Sequence, residues 1–248
     1  MSAVILALTA GAVIGLALGA LGGGGSVLAV PALIYLLGFT PVAATTASLV
    51  IVTVTSATAL SAHARDGAVR WRTGLLFAAA GIGPAMLGGA LTGRLPEAAL
   101  TVSFAVVAAF AAVRMLRHRP DVGTAAPVRP VRTVAAGAGL GAVTGVLGVG
   151  GGFLAVPALV NVLGMRMRAA VGTSLLVITV NSLAALAVRA GTAGDLDWAA
   201  IGPFAGAAIL GAWDGRRLSA KLPGDTLRRV FALVLLAVAG FMLVDAVT

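Results

Sequence analysis

The residues best suited to chemistry in this chain are glycines. Gly22, Gly23, Gly24 and Gly25 stand in a row before Ser26, and Gly148, Gly150, Gly151 and Gly152 form a second cluster in mid-chain. Each glycine costs a helix about 1 kcal/mol relative to alanine, so both clusters read as helix breaks. Helix is expected to resume near Ser26 and near Phe153. A resuming helix presents unpaired N–H groups and the positive end of its dipole, and glycine leaves that end open to close approach. Such an end suits a small anion. The substrate-binding candidates at the breaks are Gly23, Gly24, Gly25, Ser26, Gly150, Gly151 and Gly152. The competing reading is a pair of turns that serve packing alone.

Small hydroxyl and amide residues lie close in sequence to the breaks. Thr46 and Ser48 open the run after the first, and Thr173 and Ser174 open its counterpart; Thr53, Thr55, Ser56, Thr58, Asn181 and Ser182 run deeper. Thr46, Ser48, Thr173, Ser174 and Asn181 join the substrate-binding candidates, because such groups donate hydrogen bonds to an oxyanion. Back-bonding to the helix or bonding between helices would occupy them instead. Asn181 stands out, since an amide at mid-span is hard to place against lipid.

Ionisable side chains are scarce in the apolar runs. His63 and Asp214 are the candidates for proton coupling, although Asp214 precedes Arg216 and Arg217 and is expected to pair with arginine. The deep carboxylate expected of a proton or cation pump is absent. Nothing assembles a catalytic set: no base lies at the depth of the hydroxyls, and HExxH and paired carboxylates are missing. Zero cysteines exclude disulfides, thiolate metal sites and a cysteine nucleophile. No enzymatic activity, cofactor or metal is expected.

The elements that must hold these residues are membrane helices. The chain is 60% hydrophobic and 10% charged, with a mean hydropathy of +1.08. A soluble domain carries about 25% charged residues, so lipid must face most of the outside. The net charge of +9 does not signal nucleic acid, because the basic residues sit in short loops between apolar runs.

An internal repeat organises those runs. Ala29-Val30-Pro31-Ala32-Leu33 recurs as Ala155-Val156-Pro157-Ala158-Leu159, an offset of 126. The same register pairs Gly38 with Gly164 and Ser48-Leu49 with Ser174-Leu175; one residue later, Leu95-Pro96 matches Leu222-Pro223 and Phe104 matches Phe231. The domains are therefore a first repeat over 1–116, a linker over 117–132 and a second repeat over 133–248. The first repeat has apolar runs at about 3–20, 26–38, 43–63, 72–93 and 97–116, and the second at about 133–147, 153–164, 170–190, 198–214 and 229–246. The second run of each half is too short for an ordinary span of roughly 20 residues and suits a re-entrant or broken helix. Gly11, Gly15, Gly19 and Gly137, Gly141, Gly145 have the spacing of close helix packing.

Charge selects a topology. If each half starts with a hairpin that returns to its own side and then crosses three times, only Arg94 and Arg189 of the 17 basic residues lie outside. If the second hairpin is a single crossing, the basic residues divide almost evenly. The expected fold class is thus an all-α polytopic membrane protein of two inverted-topology repeats, each a glycine-broken hairpin plus three transmembrane helices. The linker is expected in the cytoplasm and both termini outside. Inverted repeats with broken helices are a recurrent plan of secondary transporters.

The doubled pattern resembles the TauE/SafE family of membrane transporters. The matching blocks are Gly22-Gly23-Gly24-Gly25-Ser26 with Val30-Pro31-Ala32-Leu33, then Gly148-Val149-Gly150-Gly151-Gly152 with Val156-Pro157-Ala158-Leu159 and Gly172-Thr173-Ser174-Leu175. The resemblance covers nearly the whole chain. It implies export or uptake of sulfite, sulfonates or related small organic anions across the cell membrane. Expected partners are a small anionic substrate and the lipid bilayer, without nucleic acid; a homo-oligomer is compatible with the sequence. The competing functions are a channel or structural membrane subunit and, more remotely, an intramembrane enzyme.

Overall fold

The computed structural model describes residues 2–92, 97–117, 130–146, 152–188 and 198–245. These residues form ten α-helices: α1 (Ser2–Leu21), α2 (Gly24–Tyr35), α3 (Pro41–Arg65), α4 (Trp71–Thr92), α5 (Glu97–Arg117), α6 (Pro130–Val146), α7 (Gly152–Asn161), α8 (Met167–Val188), α9 (Trp198–Lys221) and α10 (Gly224–Asp245). No strand occurs among the described residues. Among the described residues, four stretches are long and apolar enough to cross a membrane: Val4–Leu21, Ala43–Arg65, Met167–Ala187 and Gly224–Val244. The helices α4 and α9 have comparable lengths, 22 and 24 residues. Each begins at an exposed tryptophan, Trp71 or Trp198, a residue type that favours the membrane–water interface.

Local chemistry sets the helix ends. Thr40 caps α3 by accepting a hydrogen bond from the Ala43 N–H at 3.4 Å, with Pro41 in the first turn. The helices α2 and α7 stop in the same way. Gly38 and Gly164 take φ of +70° and +65°, a backbone conformation open to glycine. In each case the next residue folds back onto a carbonyl six positions earlier: Phe39 N–H to Leu33 at 3.0 Å, and Met165 N–H to Leu159 at 3.0 Å. With 12 and 10 residues, α2 and α7 span roughly 18 and 15 Å. That is about half of the roughly 30 Å hydrocarbon core.

Several boundaries differ from expectation. Helix α9 continues to Lys221, beyond the apolar run that ends near 214. Arginine, lysine, leucine and alanine sustain helix whether or not lipid surrounds them, so the loss of hydropathy marks the edge of the apolar run and not the end of the helix. Helices α2 and α7 begin at Gly24 and Gly152, one or two residues before the expected restart. Glycine in a first turn forfeits little, because N–H groups there have no intrahelical partner.

The halves pack on each other through reciprocal pairs. Helix α1 lies along α9 and α6 along α4, while α3 meets α8 and α5 meets α10. Glycines make the first two pairings close. A Cβ built on Gly11, Gly15 or Gly19 would overlap the carbonyl oxygen of Phe204, Ala208 or Ala212. A Cβ on Gly137 or Gly141 would overlap that of Phe77 or Gly81. Without a hydrophobic drive between helices in lipid, such backbone approach supplies the dispersion contacts that hold them. Phe77, Phe204, Phe153 and Phe231 are the largest fully buried side chains.

Candidate functional site

The first glycine break is seated on the other half of the molecule. Helix α1 ends at Leu21, and Gly22 turns the chain with φ +78° while its N–H bonds the Leu18 carbonyl at 2.8 Å. A Cβ on Gly22 would overlap the Ser174 hydroxyl oxygen of α8 and fall 3.1 Å from a methyl of Val156 in α7. A Cβ on Gly23 would overlap the carbonyl oxygen of Gly152 and fall 2.7 Å from the Phe153 Cα. The beginnings of the two short helices therefore meet, and glycine is what lets them. Gly24, Gly25 and Ser26 lie in the first turn of α2. Gly150 and Gly151 lie outside the described residues.

The hydroxyls of the candidate set divide into two groups. Ser48 and Ser174 donate to carbonyls three residues back, Thr45 and Val171, each at 2.8 Å. Their protons are committed at equivalent positions of the two halves. Thr173 accepts the Arg70 backbone N–H at 3.1 Å, next to the first residue of α4. Thr46 is buried. The second group is deeper. Thr53 Oγ1, Thr55 Oγ1 and Asn181 Oδ1 are buried without a hydrogen-bond partner. Thr55 and Asn181 share the 126-residue offset.

Between these positions Ser56 and Thr179 are joined hydroxyl to hydroxyl at 2.9 Å, and Thr179 also donates to the Leu175 carbonyl at 2.7 Å. Thr179 is absent from the candidates read off the sequence. The available signal was its register, since it sits 126 residues after Thr53. The seam between α3 and α8 is thus polar at its Ser56–Thr179 contact, and unpartnered oxygens stand nearby along both helices, a buried polar zone in two helices of membrane-crossing length. A buried hydroxyl or amide without a partner costs about 1–3 kcal/mol, so this zone is held at a thermodynamic loss unless something binds it.

The two ionisable candidates stand elsewhere. His63 is buried near the end of α3, with Nε2 3.1 Å from the Gly19 carbonyl oxygen, so Nε2 is the donor. That contact lies one turn before the α1 break. Just beyond it, Arg216 of α9 pairs with Asp66 at 3.4 Å. Asp214 is exposed and pairs with Arg217 at 3.5 Å. No group of three potential metal-ligating residues occurs among the described residues.

Apolar helices of membrane-crossing length, with short broken helices packed between them, define a polytopic membrane protein of the transporter class. The chain belongs to the sulfite exporter TauE/SafE family, whose model matches residues 7–242. It is 34% identical to a probable membrane transporter protein of Xylella fastidiosa, over 98% of this chain and 96% of that protein. It is 26% identical to a probable membrane transporter protein of Haemophilus influenzae, over 95% and 96% respectively. The protein is a membrane transporter.

Proposed function

We propose that the protein is a secondary transporter that moves a small anion across the cytoplasmic membrane by alternating access. The substrate is sulfite, a sulfonate or a related organic anion. The observation that carries this reading is the pair of buried, unpartnered hydroxyls of Thr53 and Thr55, the latter at the position equivalent to Asn181. An anion needs donors. The hydroxyl protons of Thr53 and Thr55 and the amide N–H groups of Asn181 supply them, and the positive dipole ends of α2 and α7 favour an anion. No buried lysine or arginine is required, so the substrate is held by neutral dipoles from which it can also leave.

Two inverted repeats form the machine in this reading. The reciprocal pairing of α1 with α9 and of α6 with α4 supports it. So do the matching glycine caps at 38 and 164 and the uneven distribution of basic residues. The linker is then cytoplasmic and both termini lie outside. Rocking one repeat against the other would expose the seam alternately to each side. The contact of α2 with α7 at Gly23 and Gly152 lies on the boundary between the repeats.

The test is flux. Purified protein in liposomes is offered sulfite, sulfate, taurine and sulfoacetate, and uptake is followed against concentration. Saturable movement of one class is expected. Absence of saturable movement across the panel, with protein shown to be folded and inserted, overturns the proposal.

A further inference from the structure

Two grooves on the outside of the helix packing are mates under the repeat, and their differing ends point to a lipid. The first, about 480 Å³, lies between α1, α2 and Phe241 of α10. The second, about 340 Å³, lies between α5, α6 and α7. Leu28 and Ala32 line the first where Leu154 and Ala158 line the second. At one end of the first stand Tyr35 and Phe241, rings edge to face at 6.4 Å. The equivalent residues of the second groove are Asn161 and Arg114. The repeat has kept the apolar trough and replaced an aromatic pair with an amide and a guanidinium.

The second groove is amphipathic along its length. Arg114, Asn161 and Ala136 mark one end; Val107, Val143 and Leu154 mark the other, seven residues along each helix, or roughly 10 Å. Arg114 is exposed and pairs with no carboxylate among the described residues. Asn161 Oδ1 is buried without a partner. Phe110, 64% exposed, forms part of the wall. A guanidinium prefers a phosphate, and an apolar trough leading away from it takes an acyl chain. Basic pockets between membrane helices are suited to anionic headgroups.

We propose that the α5–α6–α7 groove binds one anionic glycerophospholipid, its phosphate on Arg114, a headgroup or glycerol oxygen beside Asn161, and an acyl chain over Leu140, Val143 and Leu154. Its assignment to the cytoplasmic leaflet rests on the topology proposed above; the binding itself does not. The Tyr35–Phe241 groove offers no cation among the described residues and takes lipid chains without selecting a headgroup.

Delipidated protein in detergent is titrated with dioleoylphosphatidylglycerol, dioleoylphosphatidylcholine or glycerol phosphate, and bound lipid is counted by native mass spectrometry. Phosphatidylglycerol is expected to bind more tightly than phosphatidylcholine. In Arg114→Gln that preference should fall roughly tenfold, as expected for loss of a charge-assisted bond. It should survive in Phe241→Ala. Leu140→Trp, which fills the trough but keeps Arg114, should also lose the bound lipid. Equal binding of both lipids, or an unchanged preference in Arg114→Gln, overturns the proposal. So does glycerol phosphate matching the intact lipid, which would make this a free-phosphate site. The readout is independent of transport, so a failed flux assay and a failed lipid titration are distinguishable.

Discussion

Ser56 of α3 and Thr179 of α8 touch hydroxyl to hydroxyl at 2.9 Å in the buried interface between those helices. The contact joins the two halves of the chain, and the unpartnered Thr53 Oγ1 lies one turn from it along α3. Interhelical polar contacts in membranes contribute on average about 0.6 kcal/mol. A double-mutant cycle of Ser56→Ala and Thr179→Val, read by thermal unfolding in detergent, should give a coupling of about 0.5–1 kcal/mol. A coupling near zero would show that the pair contributes no net stability.

Thr55 and Asn181 should behave in the opposite sense. Neither buried oxygen has a partner, so removing it relieves a desolvation cost. Thr55→Val and Asn181→Leu are expected to leave stability unchanged or raise it by up to about 1 kcal/mol. Anion flux should fall about tenfold or more in each. Lower stability with unchanged flux would make these groups structural.

Glycines that look alike in sequence should separate by environment. Gly15 lies against the Ala208 backbone, whereas Gly240 faces open space. Gly15→Val should destabilise the α1–α9 pairing by several kcal/mol, on the order of other overpacked cores. Gly240→Ala should be neutral or stabilising by up to about 1 kcal/mol. Unfolding temperatures of the two variants decide this, and similar values would contradict the packing.

The break should separate from the cap. Gly22 and Gly38 both have positive φ, +78° and +70°, but only Gly22 is crowded. Gly38→Ala should cost about 1–2 kcal/mol from backbone strain alone and retain flux. Gly22→Ala adds a collision with Ser174 and should lower both stability and flux. Full flux in Gly22→Ala would remove the break from the transport pathway.

Much of this architecture was legible because it is written locally. Long apolar runs and glycine clusters are properties of neighbouring residues, and the offset of 126 is found by matching two such local patterns. They were enough for an all-helical membrane chain, short second and seventh helices, and a resemblance to the family that the whole-chain match then established. The candidate site was legible in its residue types and less so in its roles. Which face of each helix meets which neighbour was hidden. A membrane helix is apolar toward lipid and toward protein alike, so hydropathy carries little contrast between its faces. Only tertiary structure decided that Ser48 and Ser174 spend their protons on their own helices and that Thr173 accepts an N–H from the first half. It also decided that Gly23 rests on Gly152, and that Thr179, unremarkable in sequence, meets Ser56. Those are long-range contacts, fixed by the rotation of packed helices about their axes, and no local pattern in a uniformly apolar span encodes that rotation.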